Sequence, residues 1–139
     1  MVLLYPWDVR RWICLELFIG GQKQGKLAYV LSRGYTEADV LDCAVTDTFV
    51  LDKKVIDNLQ ELIRRLLIHN QEPLDWIENN LKDDMLIICN EVGSGIVPMD
   101  RFERAYRDAV GDVCCALAKK AETVERICCG IPIPIKVTK

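Results

Sequence analysis

Residues 15–27 read Leu15-Glu16-Leu17-Phe18-Ile19-Gly20-Gly21-Gln22-Lys23-Gln24-Gly25-Lys26-Leu27. A short apolar run that ends in paired glycines predicts a buried strand entering a tight turn. The next stretch, 25–33, predicts a helix: Leu27, Val30 and Leu31 form one apolar stripe, and Gly34 suits a helix end. Between them stands G-x-x-x-x-G-K, and strand–loop–helix is the context a phosphate-binding loop requires. Glycines let the backbone turn its N–H groups toward phosphate. The helix N-terminus adds a favourable dipole, and Lys26 adds a point charge. Gly20, Gly21, Gln22, Lys23, Gln24, Gly25, Lys26 and Leu27 are therefore the candidate nucleotide contacts, with Lys26 also a candidate catalytic cation. One position departs from the pattern. The residue after the lysine is ordinarily Ser or Thr, whose hydroxyl holds Mg²⁺. Leu27 cannot ligate a metal, which would have to be held by carboxylates and water. The bland alternative is a glycine turn followed by a solvated lysine.

Outward from this loop, helices and strands alternate. Residues 39–44 (D-V-L-D-C-A) fit a second short strand. Residues 54–69 predict an amphipathic helix, with Val55, Leu59, Leu62, Ile63, Leu66 and Leu67 at helical spacing. A further helix runs over 73–81 with Pro73 in its first turn. Residues 85–89 (M-L-I-I-C) have the near-continuous apolar character of a parallel strand covered on both faces. A glycine-containing loop, 90–98, follows. Asp100 is a candidate N-cap, with Glu103 at the capping-box position, for a long helix to about residue 121. Residues 124–129 predict another strand, and 131–137 a last extended segment whose prolines suit a sheet edge.

This alternation defines an α/β class with a mainly parallel sheet flanked by helices. Right-handed crossovers bring the strand C-terminal ends to one side, where ligands bind. The suspect loops are then 20–26, 42–48 and 90–98. Asp42 ends the second strand and is a candidate to reach Mg²⁺ through water; its alternative is a turn or cap residue. Glu91 directly follows the third strand beside Gly93 and Gly95, which suits it to metal or to a substrate hydroxyl.

Composition bounds the rest. The chain has 139 residues, a net charge of −3, 50% apolar and 28% charged residues. That is enough apolar material for a core and argues against disorder. A slightly acidic chain lacks the positive footprint that nucleic-acid binding needs, so no nucleic-acid partner is expected. Residues 1–14 are too short and too charged to span a membrane and lack the form of a secretory signal. They read as an N-terminal extension to a single domain over 15–139. The seven cysteines, Cys14, Cys43, Cys89, Cys114, Cys115, Cys128 and Cys129, include no C-x-x-C, and the one histidine is His69. An odd count and the absence of zinc spacings favour reduced thiols in a cytosolic protein, with Cys89, Cys128 and Cys129 buried in strands.

The stretch 90–98, N-E-V-G-S-G-I-V-P, is more specific. It resembles the N-E-V-G-x-G-I-V-P segment of the adenosylcobinamide kinase / adenosylcobinamide-phosphate guanylyltransferase family of cobalamin synthesis. The likeness continues through Arg104, Arg107, Asp108 and Gly111 (R-x-x-R-D-x-x-G), then Leu117, Ala118, Ala121 and Glu122, residues 124–130 and Lys136. The resemblance implies a phosphate-loop NTPase-like fold. It implies phosphorylation of the aminopropanol hydroxyl of adenosylcobinamide from ATP or GTP with Mg²⁺, in a cytoplasmic homo-oligomer, typically a trimer. It further implies guanylyl transfer from GTP through a histidine in bifunctional members. Catalytic roles then fall to Lys26, Glu91 and His69, metal roles to Asp42 and Glu91, and substrate contacts to Asn90, Gly93, Gly95, Pro98, Arg104, Arg107 and Asp108.

The departures are specific too. The family's loop is G-G-x-R-S-G-K-S; here Lys23 replaces the Arg and Leu27 the Ser. The middle section that carries the family histidine is compressed. His69 only loosely echoes it, being one residue out of register, and Glu72 stands where an Arg would be. Where some shorter relatives carry N-H-x-H, this chain has Asp57-Asn58-Leu59-Gln60. Cys114-Cys115 replaces a polar pair. These losses leave an alternative, a non-catalytic nucleotide- or corrinoid-binding relative acting as regulator or partner subunit.

Overall fold

The computed structural model describes residues 15–82, 84–92 and 100–137. Residues 1–14, expected as an extension, and the expected contacts Gly93, Gly95 and Pro98 lie outside the described residues. Six strands form one sheet: β1 (Glu16–Gly20), β2 (Val40–Asp42), β3 (Val55–Asp57), β4 (Leu86–Asn90), β5 (Thr123–Cys128) and β6 (Ile131–Lys136). Among the described residues four α-helices join them: α1 (Lys26–Leu31), α2 (Leu59–Ile68), α3 (Pro73–Asn80) and α4 (Arg101–Lys120). The strand order is β2-β3-β4-β1-β5-β6. All pairings are parallel except β5 with β6, an antiparallel hairpin at the edge. This is the expected mainly parallel α/β sheet.

Alternation along the central strands divides the core between two faces. Leu17, Ile87 and Cys89 pack with Leu62, Leu66, Val110 and Val113 of α2 and α4. Phe18, Leu86 and Ile88 pack with Val30 of α1 and Ile127. Residues 86–89 are buried throughout, as covering both faces requires. Asp100 caps α4 by accepting from the Phe102 backbone N–H at 2.9 Å, and Glu72 caps α3 through the Leu74 N–H at 3.2 Å.

Two expectations are corrected. The helix expected over 54–69 is a strand followed by a helix. Val55, Ile56 and Asp57 are all buried in β3, and Asn58 takes left-handed φ/ψ of 57° and 47° before α2 begins. The misreading has a simple cause: Val55 lies four residues before Leu59, so a buried strand residue falls into the helical period. Cys128 and Cys129, expected to be buried, are exposed. Cys128 is the last residue of β5, and Cys129 (φ 53°) and Gly130 (φ 78°) form the turn into β6. Cys43 and Cys89 are buried thiols as a reduced chain would hold them; burial pushes the Cys43 thiol up to about 11.

β1 lies between strands from the second half of the chain, and its last residue is tightly enclosed. A Cβ on Gly20 would stand 2.5 Å from the Ile127 carbonyl oxygen. Gly20→Ala should therefore destabilise the protein by about 1–3 kcal/mol through overpacking. Urea unfolding of the variant checks this.

Candidate active site

The chain leaves β1 toward β2 on one side, returns through β3 and β4, and passes to β5 on the other side of β1. A crevice at the strand ends follows from that reversal. A cleft of about 600 Å³ occupies this position, lined by the loop residues 22–28 and by Asp57, Asn58, Gln60, Glu61, Arg64, Asn90, Val92 and Tyr106.

The loop is held from three directions. The Gly20 carbonyl accepts from the Glu91 N–H at 2.8 Å, tying it to β4. Gln24 ties it to the edge hairpin: its carbonyl accepts from Gly130 N–H and its side-chain oxygen from Cys129 N–H, each at 2.7 Å. Gly25, with φ 89°, places its Cα where a Cβ would press on Gly130 Cα at 3.2 Å. The third tie is Lys26, whose ammonium donates to the Gly21 carbonyl at 2.6 Å. Lys26 is only 6% exposed. Burial pulls its pKa below the ordinary lysine value, and Asp57, then Cys89 and Glu91, oppose that shift.

The carboxylate opposite Lys26 was missed by the sequence. Asp57 ends β3 and is 7% exposed. Burial is the main cause, and the neighbouring Asp42 the second, that raise its carboxyl to about 6; the Asn58 N–H and Lys26 act against them. Asp57 Oδ1 accepts from Asn58 N–H at 2.9 Å. A polar relay then crosses the cleft floor. Asn58 Nδ2 donates to Asp42 at 2.8 Å, Gln60 Nε2 donates to Asn58 Oδ1 at 3.1 Å, and Asn90 N–H donates to Gln60 Oε1 at 3.0 Å. The signal for Asp57 was present, since Val55-Ile56-Asp57 is an apolar run ending in an acid, like Leu41-Asp42.

The other expected residues fall in several places. Asn90 lines the cleft with the loop. Asp42 stands one strand beyond Asp57, in register with it, and accepts from Ala44 N–H at 2.9 Å as a turn residue does. Glu91 pairs with Arg126 at 2.8 Å, bridging β4 and β5 across the end of β1. Arg104 and Arg107 are on α4 outside the cleft lining. Asp108 lines a separate groove against α3. His69 caps the C-terminus of α2. Its Nδ1 lies 2.9 Å from the Arg65 carbonyl and its ring meets Phe49 edge-on, away from the cleft.

A lysine at a helix start, a glycine loop and a buried acid on the next-but-one strand define a phosphate-loop NTPase class of α/β protein. A family model described as cobinamide kinase / cobinamide phosphate guanyltransferase matches residues 21–135. The chain belongs to that family. It is 35% identical over 52 residues to the bifunctional adenosylcobalamin biosynthesis protein CobP of Pseudomonas aeruginosa, covering 37% of this chain and 30% of the relative. It is 42% identical over 52 residues to the bifunctional adenosylcobalamin biosynthesis protein CobU of Salmonella typhimurium, and equally to that of Escherichia coli K12, covering 37% of this chain and 29% of each relative. The match thus spans about three tenths of the length of these curated relatives. Among the described residues, no helix is long and apolar enough to cross a membrane.

Asp57 gives a signed pH dependence. Its folded carboxyl titrates near 6 against an ordinary 3.8, so the folded state holds the proton more tightly than the unfolded chain. Below about pH 4 both states are protonated and there is no penalty. Between pH 4 and 6 the penalty grows, reaching about 3 kcal/mol above pH 6. Asp57→Asn should therefore stabilise the ligand-free protein at pH 7 and leave it unchanged near pH 3.5. Chemical denaturation of both proteins at the two pH values measures the difference.

Proposed function

We propose that this chain is a nucleoside-triphosphate-dependent kinase acting on the aminopropanol hydroxyl of adenosylcobinamide in cobalamin biosynthesis. The observation that carries this reading is the facing pair Lys26 and Asp57 at the mouth of the phosphate loop. Family membership supplies the substrate class. The loop N–H groups and Lys26 hold the nucleotide's terminal phosphates. The acceptor hydroxyl oxygen bonds to the γ-phosphorus as that phosphorus parts from the β–γ bridging oxygen, nucleoside diphosphate leaves, and the hydroxyl proton passes to water. Positioning and charge neutralisation do most of the work in such a transfer.

The residues fit a Mg²⁺ cofactor even with Leu27 in place of Ser or Thr. Asp57 is a buried acid at the end of β3 on the cleft, its carboxyl raised to about 6 by burial and then by Asp42. Among the described residues no group of three or more His, Cys, Asp or Glu side chains converges. Mg²⁺ needs no such cage, since it binds through one or two carboxylates, water and substrate phosphates. Asp57 would hold it, with Asp42 behind through water and Asn58. When bound, the ion supplies charge neutralisation to the phosphates. This favours the kinase over a non-catalytic nucleotide- or corrinoid-binding relative. The choice of ATP or GTP, assembly into a homo-oligomer such as a trimer, and a cytoplasmic setting belong to the same proposal.

Guanylyl transfer is the less favoured half of the family's chemistry for this chain. His69, its one histidine, stands outside the cleft against Phe49.

The test is incubation with adenosylcobinamide, Mg²⁺ and ATP or GTP, with the corrinoid weighed by mass spectrometry. A gain of one phosphate is expected, reduced at least about a hundredfold by Lys26→Ala or Asp57→Asn, the scale of losing one transition-state electrostatic contact. Nucleotide bound without any corrinoid product would establish the non-catalytic binder instead. A further gain of one GMP unit, lost in His69→Ala, would restore the guanylyltransferase.

A further inference from the structure

The cleft has a second wall that the nucleotide-binding loop does not use. Glu61 and Arg64 line it three residues apart on α2, so they share one helix face, and Asn58, the residue before α2, lines it too. Arg64 is held in place from α4. Its guanidinium lies 4.0 Å from the centre of the Tyr106 ring. It also grips Glu103 with two hydrogen bonds, Nη1 to Oε2 at 2.7 Å and Nη2 to Oε1 at 3.2 Å. Two donors are thereby used, and a guanidinium has about five N–H donors in all. Arg64 itself lines the cleft. Glu61 stands one turn before Arg64 and also lines the cleft. Its charge acts on both Arg64 and Tyr106.

We propose that Glu61 and Arg64, with Tyr106 as platform, form the acceptor-recognition wall and read a primary carboxamide on the alcohol substrate. The inference rests on the kinase reading above. A carboxamide presents an N–H donor and a C=O acceptor side by side. A carboxylate and a guanidinium one helical turn apart present the complementary acceptor and donor. The Tyr106 ring and Val92 add apolar surface for the body of a large amphipathic ligand. The Glu103 fork fixes the guanidinium before the ligand arrives, so little side-chain freedom is lost on binding. This places acceptor recognition on α2, opposite the loop, whereas Arg104 and Arg107 are outside the cleft lining.

The test compares adenosylcobinamide with a cobinamide in which one peripheral carboxamide is hydrolysed to a carboxylate. The full chain is used, as wild type, Arg64→Met, Arg64→Lys and Glu61→Gln. Corrinoid and nucleotide affinities are measured by calorimetry, and KM and kcat by the phosphorylation assay. Thermal melts confirm that each variant is folded. Arg64→Met should weaken adenosylcobinamide binding at least about tenfold, the scale of a charged hydrogen bond, with nucleotide affinity changed less than twofold. Arg64→Lys should recover part of the loss. Wild type should discriminate against at least one monoacid through repulsion by Glu61, and Glu61→Gln should narrow that ratio.

Unchanged corrinoid affinity in folded Arg64→Met would overturn the inference while leaving a phosphorylating wild type intact. Equal losses for corrinoid and nucleotide would overturn it as well, by assigning Arg64 to the nucleotide side. Wild type that binds corrinoid but transfers no phosphate would sink the kinase reading, and the calorimetric comparison would still decide the role of Arg64. Wild type that binds no corrinoid would overturn both.

Discussion

An ammonium and a carboxylate are buried together beneath the ends of a parallel sheet, and the site is organised around that constraint. Neither Lys26 nor Asp57 has enough solvent to be comfortable as an ion. Burial lowers the pKa of one and raises that of the other. Opposite charges moderate both shifts, yet the carboxylate still titrates near 6. The Gly21 carbonyl accepts from the lysine, and the Asn58 amide donates to the acid. The surrounding backbone is arranged so that these two groups face one cleft without collapsing onto each other. Such poise is costly in the empty protein and favours ligands that bring phosphate and cation together.

The secondary structure around this pair follows from ordinary rules. β4 is apolar from Leu86 to Cys89 because both of its faces are covered. α4 begins where Asp100 can accept from its first turn and ends in Lys119 and Lys120, which suit a helix C-terminus. β6 carries two prolines because an edge strand tolerates missing donors. The polar relay from Asp42 through Asn58 and Gln60 to the Asn90 amide gives the cleft a fixed floor. Gln60 is buried at that point, which is acceptable because both ends of its amide are bonded.

Much of this could be read from residues alone. Leu15 to Lys26 declared a strand, a glycine loop and a helix start. Pro73 and Asp100 marked helix starts, and Met85 to Cys89 marked the central strand. What escaped was governed by contacts distant in sequence. Val55 matched the period of α2, so Asp57 disappeared into a helix. Its importance depends on being two strands from Lys26, which no local pattern encodes. Nothing local to the sequence singles out Arg64; Glu103 and Tyr106, some forty positions later, hold it on the cleft. Cys128 and Cys129 had the composition of a buried strand, but they stand at the end of β5 and in the hairpin turn, where no layer covers them.

The two hydrogen bonds from Gln24 to the hairpin turn have a consequence for the order in which the molecule assembles. Both neighbours of β1 come from the second half of the chain, and the loop that follows it is fastened to residues 129 and 130. During synthesis, β1 can pair with β4 first, but its loop must wait for residues 129 and 130 to leave the ribosome. Pairing between such distant segments is slow to form. A nascent chain lacking that hairpin has the glycine sequence but not the shaped loop, so nucleotide cannot act as an early template for folding. Capture of phosphate then depends on a chain made at least as far as the hairpin turn.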